Sequence, residues 1–178
     1  MYFHCTENAV KEINHNLSQS NKWEQKNVYV WIVELRIMDD NKVLFFMNSR
    51  CGAFVVFRYE IDDSIIIEKS LLAKAFKTVY KDLEIPEDLL DKYLDVSWDI
   101  HIVDKPLLSH VFVLRDITRK YRRVIEENLY SDICFQRTAS YELNKRFIAE
   151  WAQDEYRNVQ VKDFILLDVM DKPVKRVL

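Results

Sequence analysis

A chain of 178 residues, 49% hydrophobic and 31% charged, has the make-up of one globular domain, long enough to bury roughly 70% of its unfolded surface without staples. Its 26 basic and 29 acidic side chains leave a net charge of -3, so there is no global field to draw nucleic acid or an anionic membrane, and any such binding has to be local. A single glycine, Gly52, and three prolines exclude the loops that grip phosphates through main-chain amides, because G-x-G-x-x-G and P-loop turns need several positions without a Cβ.

Tyr2 to Cys5 reads as an opening strand, and Thr6 is a cap residue for a helix with Ala9, Val10, Ile13 and Leu17 at helical spacing. After a polar stretch, 28–37 and 43–48 are rich in β-branched and aromatic residues and flank turn chemistry at 38–42, which predicts a hairpin. Gly52 lies in the next turn, and 53–59 is a third, almost wholly apolar strand, completing an antiparallel meander. The period then changes to three and four at Leu72, Ala75, Phe76, Val79, Tyr80 and Leu83, which predicts a helix over 66–83. Pro86 starts another, with Glu87 and Asp88 in its first turn. A fourth strand is predicted at 98–103, helical pattern from 109 to 128 and again from 132 to 156. The segment 161–169 fits a strand or a buried helix, and 171–178 a tail. Strands first and helices after them predict a single α+β domain over 1–170, an antiparallel sheet of four or five strands with helices packed on one face.

Cys5, Cys51 and Cys134 are odd in number and far apart, with no C-x-x-C, which reads as free thiols in a reducing cytoplasm. The opening residues hold no signal-peptide run, and no apolar run approaches the roughly 20 residues of a membrane span. His4, His15, His101 and His110 form no H-x-x-x-H or H-E-x-x-H unit, so they are read as surface or half-buried residues, and no metal or cofactor is expected. Cys51 is the best candidate nucleophile, in a turn beside Gly52 and next to Arg50, whose charge favours a thiolate; the competing reading is a small residue in a tight turn. Asp39-Asp40 and Asp62-Asp63 are candidate Mg²⁺ ligands for a nuclease. Turns and helix starts select Asp as well, and Glu68 and Lys69 are adjacent rather than alternate, so no catalytic lysine follows.

The local charge feature is Arg115, Arg119, Lys120, Arg122 and Arg123, of which 115, 119 and 122/123 share a helix face opposite Ile117, Tyr121, Val124 and Ile125. With Arg137, Lys145 and Arg146, the segment 115–146 holds eight basic against five acidic residues, an excess able to touch a few phosphates. Against this, Asp116 with Lys120, Arg122 with Glu126 and Arg123 with Glu127 stand at the spacing of helical ion pairs that neutralise a solvated face.

Trp31, the apolar strand after it, the charged turn, the second apolar strand and Asn48 stand in an order and separation that resembles a bacterial domain family of unknown function. Cys5-Thr6, the segment 85–94, Ser109 with Asp116, and Leu143-Asn144-Lys145 follow in the family's order, so the resemblance covers residues 1 to about 150. The chain departs from the family at Leu108, where an arginine is usual, at Cys51, where a threonine is usual, and at Arg146-Phe147, where Thr-Pro is usual. The family occurs in short bacterial and mobile-element reading frames, and the resemblance implies an accessory or interaction role but no reaction.

Three readings follow. The first is a cytoplasmic, non-enzymatic module acting through a protein partner or as a homodimer, with Trp31, Asn48, Arg50, Ser109 and Asp116 as residues of interest. The second is a nucleic-acid binder using Arg115, Arg119, Arg122, Arg123 and Arg146. The third is an enzyme, a metal-dependent nuclease or cysteine hydrolase, which requires Cys51 or an Asp pair to meet a histidine or lysine.

Overall fold

The chain runs β1 (Tyr2–Cys5), α1 (Glu7–Glu12), β2 (Ser18–Gln19), β3 (Val30–Met38), β4 (Asn41–Asn48), β5 (Phe54–Glu60), α2 (Lys69–Asp82), α3 (Glu87–Ser97), β6 (His101–Val103), α4 (Leu108–Lys120), α5 (Arg122–Glu126) and α6 (Arg137–Asp154). These elements come from a computed structural model that describes residues 1–13, 18–19, 29–97, 100–103 and 107–154. The expected segments at 161–169 and 171–178, and Leu17, His15 and Trp98, lie outside the described residues.

The fold is α+β, as expected, and the meander β3–β4–β5 is antiparallel with Trp31 opposite Asn48 and Met47 opposite Phe54. The expectation of a purely antiparallel sheet is corrected. The strands lie in the order β2-β6-β1-β3-β4-β5, and β1 runs parallel to both β3 and β6, as β2 does to β6. A parallel partner needs a crossover rather than a hairpin, and the chain between β1 and β3 includes α1.

Helices on one face is the second expectation to be corrected. Trp31, Val33, Leu44, Phe46, Val55 and Phe57 pack against Phe76, Val79 and Tyr80 of α2 and Leu90 and Tyr93 of α3. The alternate residues Ile32, Val43, Phe45, Met47, Phe54 and Val56 form a second core with α4 and α6, through Val111, Leu114, Ile117, Leu143 and Phe147. A strand apolar at successive positions has no face to give to water, so the sheet is covered on both sides.

With one glycine, the chain makes its positive-φ turns from other residues. Asp39 (φ 44°) and Asp40 (φ 59°) close the β3–β4 hairpin as a two-residue turn, a conformation that Asp tolerates through its short polar side chain. Gly52 (φ 70°) serves the next turn. Helix α2 stops at Glu84 (φ 61°), where Glu84 N–H donates to Lys81 O and Ile85 N–H to Tyr80 O, the position at which glycine is usual. The helix predicted over 109–128 breaks at Tyr121 (φ −102°, ψ 17°) into α4 and α5.

The edge strand β5 is closed by α6 and the loop before it. Asn144, buried, accepts from Phe54 N–H at 2.7 Å and donates to Phe54 O at 2.8 Å. Ser140 accepts from Val56 N–H at 3.0 Å, Gln136 N–H donates to Val56 O at 2.9 Å, and Arg58 N–H donates to Cys134 O at 2.8 Å. Side chains and loop backbone thus take the place of a further strand and blunt an edge that would otherwise template aggregation.

Two substitutions should move stability in opposite directions in urea unfolding. Asn144→Ala leaves the outward groups of Phe54 unpaired and should cost about 2–4 kcal/mol. Glu84→Gly removes the left-handed penalty at the α2 stop and should stabilise by up to about 1 kcal/mol.

Candidate functional site

The residues singled out around the hairpin are structural. Trp31 is fully buried, stacked on Phe76 with centroids 4.4 Å apart, and its Nε1–H donates to Tyr93 Oη at 3.0 Å. Asn48 ends β4, where its Oδ1 accepts from Arg50 N–H at 3.0 Å and Cys51 N–H at 3.1 Å, organising the turn that Gly52 completes. The Cys51 thiol faces this same oxygen at 3.3 Å and is 4% exposed, held as a small residue in a tight turn. Asp39-Asp40 and Asp62-Asp63 are exposed in turns at the end of β3 and after β5, and among the described residues no group of three acidic, cysteine or histidine side chains is placed to hold a metal ion. Burial pushes the Cys5 thiol far above its ordinary range, which makes it an inert core residue. His4 and His110 are buried, correcting the expectation of surface or half-buried histidines, whereas His101 is half-buried and stacks on Tyr2 at 5.2 Å.

The arginines occupy α4, α5 and α6, and each already holds a carboxylate. Arg115 meets Glu34 at 2.8 Å, Arg119 meets Asp116 at 2.7 Å, Arg122 meets Glu126 at 2.6 Å, Arg123 meets Glu127 at 2.8 Å and Arg146 meets Glu142 at 3.4 Å. Asp116 therefore serves as a local ion-pair partner on an exposed turn. Ser109 is exposed, its Oγ 3.2 Å from the Nδ1 of His110.

Helix α4 presents its outer face to solvent in a way its sequence pattern did not announce. Leu108 is 66% exposed and Phe112 64% exposed, and with Arg115 and Arg119 they follow steps of four, three and four, so the four lie in one stripe along the helix. Val111, Leu114 and Ile117 on the other side enter the core. The stripe is apolar in its first half and cationic in its second.

A crevice of about 610 Å³ opens between α1, α4 and the end of β3, lined by Asn8, Lys11, Glu12, Glu34, Arg36 and Arg115 among others. Topology puts it there. Strands β1 and β6 are parallel neighbours, yet α1 after β1 packs Ala9 into the core of α2 and α3, while α4 after β6 covers the opposite face. Adjacent strands whose following helices diverge to opposite faces leave a gap beyond their carboxyl ends. β3 runs on past the end of β1, where Cys5 pairs with Val33, and carries Glu34 and Arg36 into that gap.

Glu34 is the buried carboxylate of the crevice, its side chain 6% exposed. Its Oε1 accepts from Arg115 Nε at 2.8 Å and lies 3.7 Å from Arg36 Nε, whereas Oε2 is buried without a hydrogen-bond partner among the described residues. Thr6 Oγ1, at the end of β1 on the same side of the sheet, is likewise buried and unpartnered, and makes no capping bond to α1. Sequence reasoning missed this group. The signal was two charged residues at alternate positions of an otherwise apolar strand; the partner on α4 lies 81 positions away.

Trp31→Ala should lower stability by about 3–5 kcal/mol through the core cavity it leaves, read from urea unfolding followed by far-ultraviolet circular dichroism. A loss under about 1 kcal/mol would contradict the packing described. Comparison with curated proteins gives no match, and neither does comparison with solved structures. The family model described as domain of unknown function DUF6933 matches residues 2–158, which takes in every element from β1 to α6, and the chain belongs to that family.

Proposed function

We propose that this chain is a non-catalytic interaction module that docks a protein partner on the outward stripe of α4. The observation that carries the reading is the exposure of Leu108 and Phe112 on successive turns, in line with Arg115 and Arg119. Large apolar side chains in a contiguous exposed patch with arginines beside them have the composition of an interface anchor. The partner that fits presents an apolar pocket followed by carboxylates. Full antiparallel pairing of two copies would set Leu108 against Arg119, so a different protein suits the stripe better than a homodimer.

Each of the five arginines considered for nucleic acid stands beside a carboxylate, so this surface alternates in charge and offers a long phosphate backbone little net attraction, which favours the protein reading. Cys5, Cys51 and Cys134 form no disulfide, which suits a cytoplasmic accessory protein. Among the described residues no helix is long and apolar enough to cross a membrane.

The test is affinity capture with the native chain and with Phe112→Asp and Arg119→Glu as baits, followed by calorimetric titration of whatever purified protein is recovered. Both residues are exposed, so both variants should keep the native unfolding midpoint within about 0.5 kcal/mol. A recovered protein should bind stoichiometrically to the native chain and at least about tenfold more weakly to each variant. Identical binding to all three baits would overturn the reading. So would binding of duplex or single-stranded nucleic acid that falls steeply with salt and is lost in Arg119→Glu.

A further inference from the structure

The crevice at the end of β1 holds a mismatch between donors and acceptors that nothing in the interaction reading uses. Glu34 brings one oxygen to two guanidinium groups and leaves the other, buried, without a donor. Arg36 and Arg115 both have Nε as the atom nearest this carboxylate, and among the described residues neither donates a hydrogen bond from a terminal nitrogen. The remaining charges on the rim are matched, Lys11 by Glu7 at 2.6 Å and Glu12 by Lys42 at 2.8 Å. Two arginines facing one carboxylate then leave a single positive charge in excess.

A purely structural ion pair of this depth would saturate both carboxylate oxygens, because a buried acceptor without a donor is costly. Here the residue that carries the unused acceptor lines an opening of about 610 Å³, within the size range of small-molecule sites, and the unused donors belong to residues that line it too. The place lies beyond the carboxyl end of β1, beside the continuation of its parallel neighbour β3. With its scarcity of glycine the backbone is unsuited to wrapping a phosphate, so an anion in this protein has to be held by side chains, and guanidinium forks are the groups best shaped for a tetrahedral oxyanion.

We propose that this crevice is a binding site for a small molecule that carries a phosphate monoester and, next to it, an N–H donor. Arg36 and Arg115 take the phosphate oxygens through their terminal nitrogens. Glu34 Oε2 accepts from the donor and, through Oε1, keeps both guanidinium groups in place. Recognition thus needs both halves of the ligand, and each half alone is held weakly.

O-phospho-L-serine, inorganic phosphate and L-serine are suitable probes, titrated into the intact ¹⁵N-labelled chain while the Nε–H resonances of Arg36 and Arg115 are followed. The expected result is a saturable shift of both resonances by O-phospho-L-serine, at an affinity about tenfold or more above that of inorganic phosphate, with L-serine inert. Arg36→Gln, at a half-buried rim position, should retain the fold and lose about tenfold in affinity for both phosphorylated probes. Glu34→Gln, if folded by circular dichroism, should abolish the preference for O-phospho-L-serine over phosphate. The proposal is overturned if O-phospho-L-serine gives no saturable shift, or if it binds Arg36→Gln as tightly as the native chain. It is equally overturned if a phosphoserine peptide displaces it with higher affinity, which would make the site a protein-recognition surface.

Discussion

Apolar side chains at successive positions of β3, β4 and β5 are the constraint on which the rest of this structure depends. From Val30 to Leu35, from Val43 to Asn48 and from Phe54 to Phe57 every residue is buried, so neither face of the meander can meet water. Two helical layers are the consequence, and because the chain is short each helix has to serve as cover. Helices α2 and α3 close one side around the stacked Trp31 and Phe76, and α4 and α6 close the other. Among the described residues the edge of β5 has no strand beyond it, and α6 meets that demand with Asn144 and Ser140.

Most polar residues that drew notice in the sequence turn out to discharge structural duties under this constraint. Asn48 builds a turn, Asp39 and Asp40 reverse the chain, and Asn144 pairs with an edge strand. What is left over lies on or beside α4. Its outer stripe has apolar and cationic halves without a described partner for the apolar one, and its inner flank lends Arg115 to the crevice. Arg115 is common to both features: its Nε is tied to Glu34, and its aliphatic stem lies in line with Phe112. A change at that residue would be felt by the stripe and the crevice alike, which is why Phe112, Arg119 and Arg36 are the cleaner probes of the two.

The hairpin β3–β4, strand β5 and helices α2 and α3 were legible in the sequence, because each carries its own period and its own punctuation. The second helical layer was legible in principle, since continuous apolar runs signal burial on both faces, but a meander suggested one-sided cover. Parallel partners for β1 were not legible: strands of four and three residues carry no register signal, and β6 returns only after two helices. The break at Tyr121 was hidden for a different reason. In a chain with one glycine, this boundary is not marked by the residue that usually marks it, whereas the end of α2 was announced by Pro86. The candidate site was legible only as an anomaly, Glu34 and Arg36 in an apolar strand, because the geometry that gives them meaning comes from the divergence of α1 and α4.

Amide hydrogen exchange at Phe54 and Val56 tests the two-sided, sealed sheet most directly, since these N–H groups point away from β4 toward α6. If α6 closes the edge as described, both exchange as slowly as the amides of β3, through global unfolding. Exchange within minutes at both positions, while β3 remains protected, would contradict the account.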